Sequence, residues 1–199
     1  MKEGWHIGVV IPARNEEEHI REVLEGLPEM VDIAVVVDDG STDRTAEMVN
    51  TTSVNCELLL LQGQGDGVGA SIDRGHQHLL AVFNAPFISV VVAGDGQMNP
   101  DDMDALIQPI LEGKAEHVKG NRERHSEGYN RMPKHRQRAS KILSWFTTLA
   151  AGQPIGDPQC GYTATASSVL QNWDWAHSWA GYGYPNSCLL YTSPSPRDH

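Results

Sequence analysis

Phe87-Ile88-Ser89-Val90-Val91-Val92-Ala93-Gly94-Asp95-Gly96-Gln97-Met98-Asn99-Pro100 is the stretch on which the reading of the fold turns. An apolar, β-branched run ends in small residues. The run reads as a strand buried on both faces, as in a parallel sheet. The loop that follows leaves at the strand's carboxyl end, where open α/β sheets place their ligands. Asp95 and Gln97 both offer oxygen there, and hard divalent cations prefer oxygen. The other reading of the loop is an ordinary turn before a helix.

Upstream, the same pattern recurs. His6 to Ile11 predicts a first strand stopped by Pro12. Asn15 is a candidate N-cap, with Glu16, Glu17 and Glu18 in the first turn, where the helix dipole favours acids. Ile20, Val23, Leu24 and Leu27 follow at helical spacing. Ile33 to Val37 predicts a second strand, ending at Asp38-Asp39-Gly40-Ser41, with Ser41 or Thr42 capping a helix to about Asn50. Leu58 to Leu61 is a third strand, and the glycine-rich turn from Gly63 to Gly69 opens a helix through Phe83. After Pro100, Met103, Leu106, Ile107 and Ile110 predict another helix, kinked or ended early by Pro109. Four β-α units with short connections imply right-handed crossovers and a mostly parallel sheet with helices on both faces.

Farther on, His117 to Lys119 is a candidate fifth strand, and Asn121 to Pro133 a polar, mobile loop. Ile142 to Leu149 is apolar at helical spacing behind Lys134, Arg136, Arg138 and Lys141. It reads as a packed surface helix or as an interfacial helix near lipid phosphates. Ser187 to His199 lacks periodicity and reads as a non-native tail, so residues 1–186 are expected to be one domain truncated at its C-terminal end.

Composition bounds the function. A chain of 199 residues with net charge −11 is poorly suited to nucleic acid. Yet eight of its 15 Lys and Arg fall between Lys119 and Lys141, which points to a local anion site; a solvated charged face is the alternative. Cys56, Cys160 and Cys188 form no CxxC pair and fit a reducing compartment. No signal peptide opens the chain, and no apolar run approaches the ~18 residues of a membrane span. Gly65-x-Gly67-x-x-Ala70 has the form of a dinucleotide fingerprint, but it lies in the third βα unit rather than the first.

Four loops should therefore share one sheet edge: residues 12–16, 38–43, 65–70 and 95–97. In this order they resemble a family 2 glycosyltransferase with a GT-A (Rossmann-like) nucleotide-sugar domain. Polyprenyl- and dolichyl-phosphate sugar synthases resemble it most, over roughly residues 6 to 186. The resemblance implies an inverting transfer from a UDP- or GDP-linked sugar to a polyprenyl or dolichyl phosphate, at the cytoplasmic face of a membrane. The alternatives are transfer to a saccharide hydroxyl and a catalytically weak nucleotide-binding module. It implies that Pro12, Arg14 and Glu16 line the nucleotide, that Asp39 with Asp38 meets the base, and that Gly69 belongs to the same site. A carboxylate suits the base because it only accepts hydrogen bonds. Asp95 and Gln97 match the loop that holds Mg²⁺ or Mn²⁺ and the diphosphate. Asp157 matches an acidic loop near the reacting sugar. Arg122 and Arg136 match positions that hold an acceptor phosphate, where the guanidinium fork donates two bonds at once. One position departs: the family's metal loop usually reads Asp-x-Asp, and Ala93 stands at its first position.

Overall fold

The computed structural model describes residues 1–121, 148, 157, 160–178 and 181. Strands β1 (His6–Ala13), β2 (Ile33–Asp38), β3 (Glu57–Gln62) and β4 (Phe87–Val91) alternate with helices α1 (Ile20–Glu25), α2 (Thr45–Thr51) and α3 (Val68–Val82). A 3₁₀ turn over Pro100–Asp102 leads into α4 (Met103–Leu111), and β5 (His117–Lys119), β6 (Thr163–Ala166) and α5 (Ser167–Gln171) follow. The described strands form one sheet in the order β3-β2-β1-β4-β6-β5. The first four run parallel, and β6 is antiparallel to both β4 and β5.

Burial follows from this order. β1, β2 and β4 lie inside the sheet, and all six residues of β2 are buried. β3 is an edge strand, so its leucines are only half-buried. Helices cover both faces. Ile20, Val23, Leu24, Met103, Ile107 and Ile110 pack with Ile7, Val9 and Ile88 on one side. Leu79 of α3 and Leu170 of α5 pack with Val10, Val35 and Phe87 on the other. The approach of α3 to β1 is close enough to require glycine: a Cβ on Gly75 would stand 2.3 Å from Val10 Cγ1.

Several elements differ from the sequence reading. β1 continues through Pro12 to Ala13. Its register with β4 ends at Val10–Val91, and the Pro12 carbonyl still accepts from Gly94 N at 3.2 Å, so the missing proline N–H breaks no ladder there. Helix α1 begins at Ile20, not after Asn15, whose backbone takes φ +57°. Pro109 neither ends nor splits α4; the helix stops two residues later. β6 has no counterpart in the sequence pattern, because Thr163-Ala164-Thr165-Ala166 lacks the apolar run that marks the other strands.

Candidate functional site

The loops after β1, β2, β3 and β4 meet around one cavity of about 360 Å³. Its walls are Pro12, Ala13, Arg14 and Glu16 from the first loop, Asp39 from the second, Gly67, Val68 and Ser71 from the third, Ala93, Gly94 and Asp95 from the fourth, and Gly181. Parallel strands put their carboxyl ends on the same edge, so residues far apart in sequence converge there.

Asp39 anchors this arrangement. Its Oδ1 accepts from Gly65 N at 3.0 Å and Asp66 N at 2.9 Å, and its Oδ2 accepts from Gly67 N at 2.9 Å. Three successive N–H groups converge because Gly65 and Gly67 take φ +83° and +103°, which side chains disfavour. The glycine-rich turn is thus shaped around a carboxylate rather than a pyrophosphate. A carboxylate has roughly four acceptor positions, so one on Oδ2 is left for a ligand N–H. The neighbouring Asp38 has another task. Its Oδ1 accepts from Ser41 N at 2.9 Å and closes the turn, and it is not a wall of the cavity. Gly69 is buried in the first turn of α3 and likewise stands behind the wall.

On the opposite wall, Asp95 Oδ1 accepts from Gln97 N at 3.1 Å. Only the backbone of Gln97 takes part; its side chain is not part of the wall. Ala93 lines the cavity with a methyl group, and its N–H points to Met98 Sδ at 3.2 Å. Glu16 is held above the usual carboxylate range, first by burial and then by the charge of Asp95. Among the described wall residues the charges are therefore Glu16, Asp39 and Asp95 against Arg14. Among the described residues, no cluster of three His, Cys, Asp or Glu forms a ready-made metal cage. Oxygen donors from Asp95, with Glu16 nearby, fit a hard cation only if diphosphate and water complete its shell.

Asp157 is buried at 4% exposure, but it does not line the cavity. Arg122 and Arg136 lie outside the described residues, as do most of the basic cluster, the apolar segment from 142 and the tail from 187. Trp173 packs with Ile72 and Val91 in a small core. His76 and His78 do not pair; His76 Nδ1 meets Ser89 Oγ at 2.9 Å, and His117 Nδ1 meets Thr165 Oγ1 at 2.8 Å. Ser89 and Thr165 are register partners across β4 and β6, so these groups form a polar row through the sheet. Burial is the main cause that pushes His76 down to about 3 and His117 to about 4.

The fold matches solved GT-A structures. Glucosyl-3-phosphoglycerate synthase from Mycobacterium tuberculosis, in complex with Mn²⁺, UDP and glucosyl-3-phosphoglycerate, superposes with a TM-score of 0.69 at 22% identity, over 95% of this chain and 65% of that one. The fold and the loop arrangement thus define a domain of the GT-A type. The model of glycosyl transferase family 2 matches residues 8–173, and the chain belongs to that family. It is 30% identical over 180 residues to the UDP-N-acetylglucosamine–dolichyl-phosphate N-acetylglucosaminyltransferase of Methanococcus voltae, covering 83% of this chain and 71% of that protein. It is 29% identical over 180 residues to the undecaprenyl-phosphate 4-deoxy-4-formamido-L-arabinose transferase of Proteus mirabilis, covering 82% of this chain and 50% of that protein. The chain therefore spans 65% of the synthase and half of the arabinose transferase.

Proposed function

We propose that this domain binds a nucleoside diphosphate sugar in the cavity after β1–β4 and transfers the sugar, with inversion, to a polyprenyl phosphate. The observation that carries the reading is the convergence of Arg14, Glu16, Asp39 and Asp95 on one cavity. Two curated relatives that act on dolichyl or undecaprenyl phosphate support the acceptor class.

The last acceptor position of Asp39 Oδ2 receives an N–H of the base, which uracil and guanine both present. Arg14 faces the diphosphate. With three carboxylates and one guanidinium on the described walls, an anionic donor meets net repulsion. Asp95, together with the diphosphate, would hold a divalent cation, which would supply charge neutralisation for the donor and its leaving group. The acceptor phosphate is already anionic near neutral pH. Its oxygen attacks the anomeric carbon as the bond to the nucleoside diphosphate breaks, and no base is needed. Arg122 and Arg136 hold the acceptor and reduce its repulsion from the donor. Asp157 serves as general base only for a hydroxyl acceptor. A polyprenyl acceptor implies contact with a membrane surface at its cytoplasmic face; among the described residues no helix is long and apolar enough to cross it. Ala93 favours a second reading, a nucleotide-binding module with weak catalysis.

The test is calorimetric titration with UDP and GDP, each with and without Mn²⁺, followed by transfer of labelled sugar to undecaprenyl phosphate. Metal-dependent binding of one nucleotide, with transfer lost in Asp95→Ala, is expected. Binding without turnover selects the module, and no binding by folded protein removes the donor site.

A further inference from the structure

We propose that Asn15 and Asp43 are positioning residues of the donor site, clasping the loop after β1 to the loop after β2 so that Arg14, Glu16 and Asp39 are in place before a ligand arrives. The proposal rests on the nucleotide reading of the cavity.

The clasp is a ladder made largely of side chains. Asn15 N donates to Ser41 Oγ at 2.9 Å, Glu16 N to Thr45 Oγ1 at 2.8 Å, and Glu17 N to Asp43 Oδ2 at 3.2 Å. Bonds also return from the second loop. Thr42 N donates to Asn15 Oδ1 at 2.8 Å and Arg44 N to Glu17 Oε2 at 3.0 Å. Three successive amides of one loop thus find acceptors on the other, and two amides go back. Asp43 joins the clasp to α2 as well, since its Oδ1 accepts from Thr45 N at 3.0 Å and Thr45 Oγ1 at 2.5 Å.

Asn15 is the residue that makes the crossing possible. Its φ of +57° belongs to the left-handed region that glycine, asparagine and aspartate tolerate best. That turn lets its side chain reach Thr42 instead of capping its own helix. Asn15 and Asp43 do not line the cavity, whereas Arg14 and Glu16, on either side of Asn15, do. Without the clasp these surface loops would have to be ordered by the ligand, at a cost in conformational entropy for every residue fixed. Ordering them beforehand raises affinity without a new ligand contact.

The test compares the 199-residue chain with Asn15→Gly, Asn15→Asp and Asp43→Asn. Glycine keeps the backbone turn and removes the acceptor; aspartate keeps both. UDP affinity is titrated in saturating Mn²⁺, and amide exchange of Thr42 is followed without ligand. Asn15→Gly and Asp43→Asn are expected to bind UDP about tenfold more weakly. Faster Thr42 exchange is expected in Asn15→Gly, and Asn15→Asp should restore both properties. Wild-type affinity in folded Asn15→Gly, or equal loss in Asn15→Gly and Asn15→Asp, overturns the clasp alone. If the wild-type chain binds no UDP, the nucleotide reading falls and the clasp with it.

Discussion

The two halves of the sheet hold their loops by different means. Around β1, β2 and β3 the strands are parallel and the loops bond to one another: Asn15 to Thr42, Glu17 to Asp43, and Asp39 to the amides of residues 65–67. Around β4, β6 and β5 the pairing is antiparallel. The loop after β4 is held partly by itself, through Asp95 to Gln97 and Ala93 to Met98, and partly by Pro12, whose carbonyl accepts from Gly94 N, and Tyr162, whose hydroxyl donates to the Asn99 carbonyl. Beyond β5, Arg122 and Arg136, which are proposed to hold the acceptor, fall between β5 and β6 in the sequence and outside the described residues. The contrast separates the two tasks assigned to the site. A nucleotide presents the same base and diphosphate whatever sugar it carries, so a rigid half suits it.

Breaking the nucleotide half at its centre should have the largest effect. Asp39→Ala leaves three backbone amides without their carboxylate and is expected to lower stability by roughly 3 kcal/mol and to abolish UDP binding. Urea denaturation and calorimetry read the two losses; unchanged affinity would show that Asp39 shapes the loop and does not meet the base. Gly75→Ala tests the packing beneath the same half. Its Cβ would stand 2.3 Å from Val10, and a loss of about 1–3 kcal/mol is expected in thermal melts.

The other half is sharpened by a gain. Ala93→Asp adds a second carboxylate to a wall that already carries Asp95, and should tighten Mn²⁺-dependent UDP binding about tenfold, or ~1.4 kcal/mol. A weaker complex would mean that the cation sits away from residue 93. The seam of β4 and β6, where His76 of α3 meets Ser89 and His117 meets Thr165, should be acid-sensitive. His76 and His117 are pushed below their unfolded value of about 6.5, to about 3 and about 4. His76 is buried and His117 half-buried; each is neutral in the fold and takes up a proton on unfolding as the pH falls. Their contribution is therefore full above pH ~6.5 and lost as pH falls toward the folded values, about 1.4 kcal/mol for each histidine by pH 5.5. Denaturant midpoints between pH 7.5 and 4.5 measure this, and His76→Gln should flatten the slope. At the small end, Arg44→Ala removes an exposed ion pair to Glu17 and should change stability by less than about 0.5 kcal/mol.

Much of the donor half is legible along the chain. The runs at residues 7–11, 33–37 and 87–91 are mostly apolar because central strands are buried on both faces, and each leads within a few residues to a charged side chain, Arg14, Asp38 or Asp95, because the sheet edge is where water and ligands enter. Asp39 and Asp95 can be picked out for the same reason, as carboxylates at strand ends. Other assignments read less well. Asp38 and Asp39 are neighbours of identical chemistry, and only the turn decides which one faces the cavity. Asn15 carries every mark of a helix cap, yet its partner is Thr42, which local spacing cannot reveal. β6 is a short run of Thr and Ala whose strand character comes from its neighbours, since it is completed by β4 and β5.

The sequence by itself determined the α/β class, the parallel order of the first four units and the set of loops that carry the chemistry. Those properties follow from periodicity, turn residues and burial, which act over a few residues. The tertiary structure decided which carboxylates share a cavity, that the glycine-rich turn wraps around Asp39, and that two loops are clasped through Asn15 and Asp43. The wrap and the clasp join residues some 26 to 28 positions apart, the cavity joins carboxylates farther apart still, and such pairings form only when the sheet aligns the strand ends.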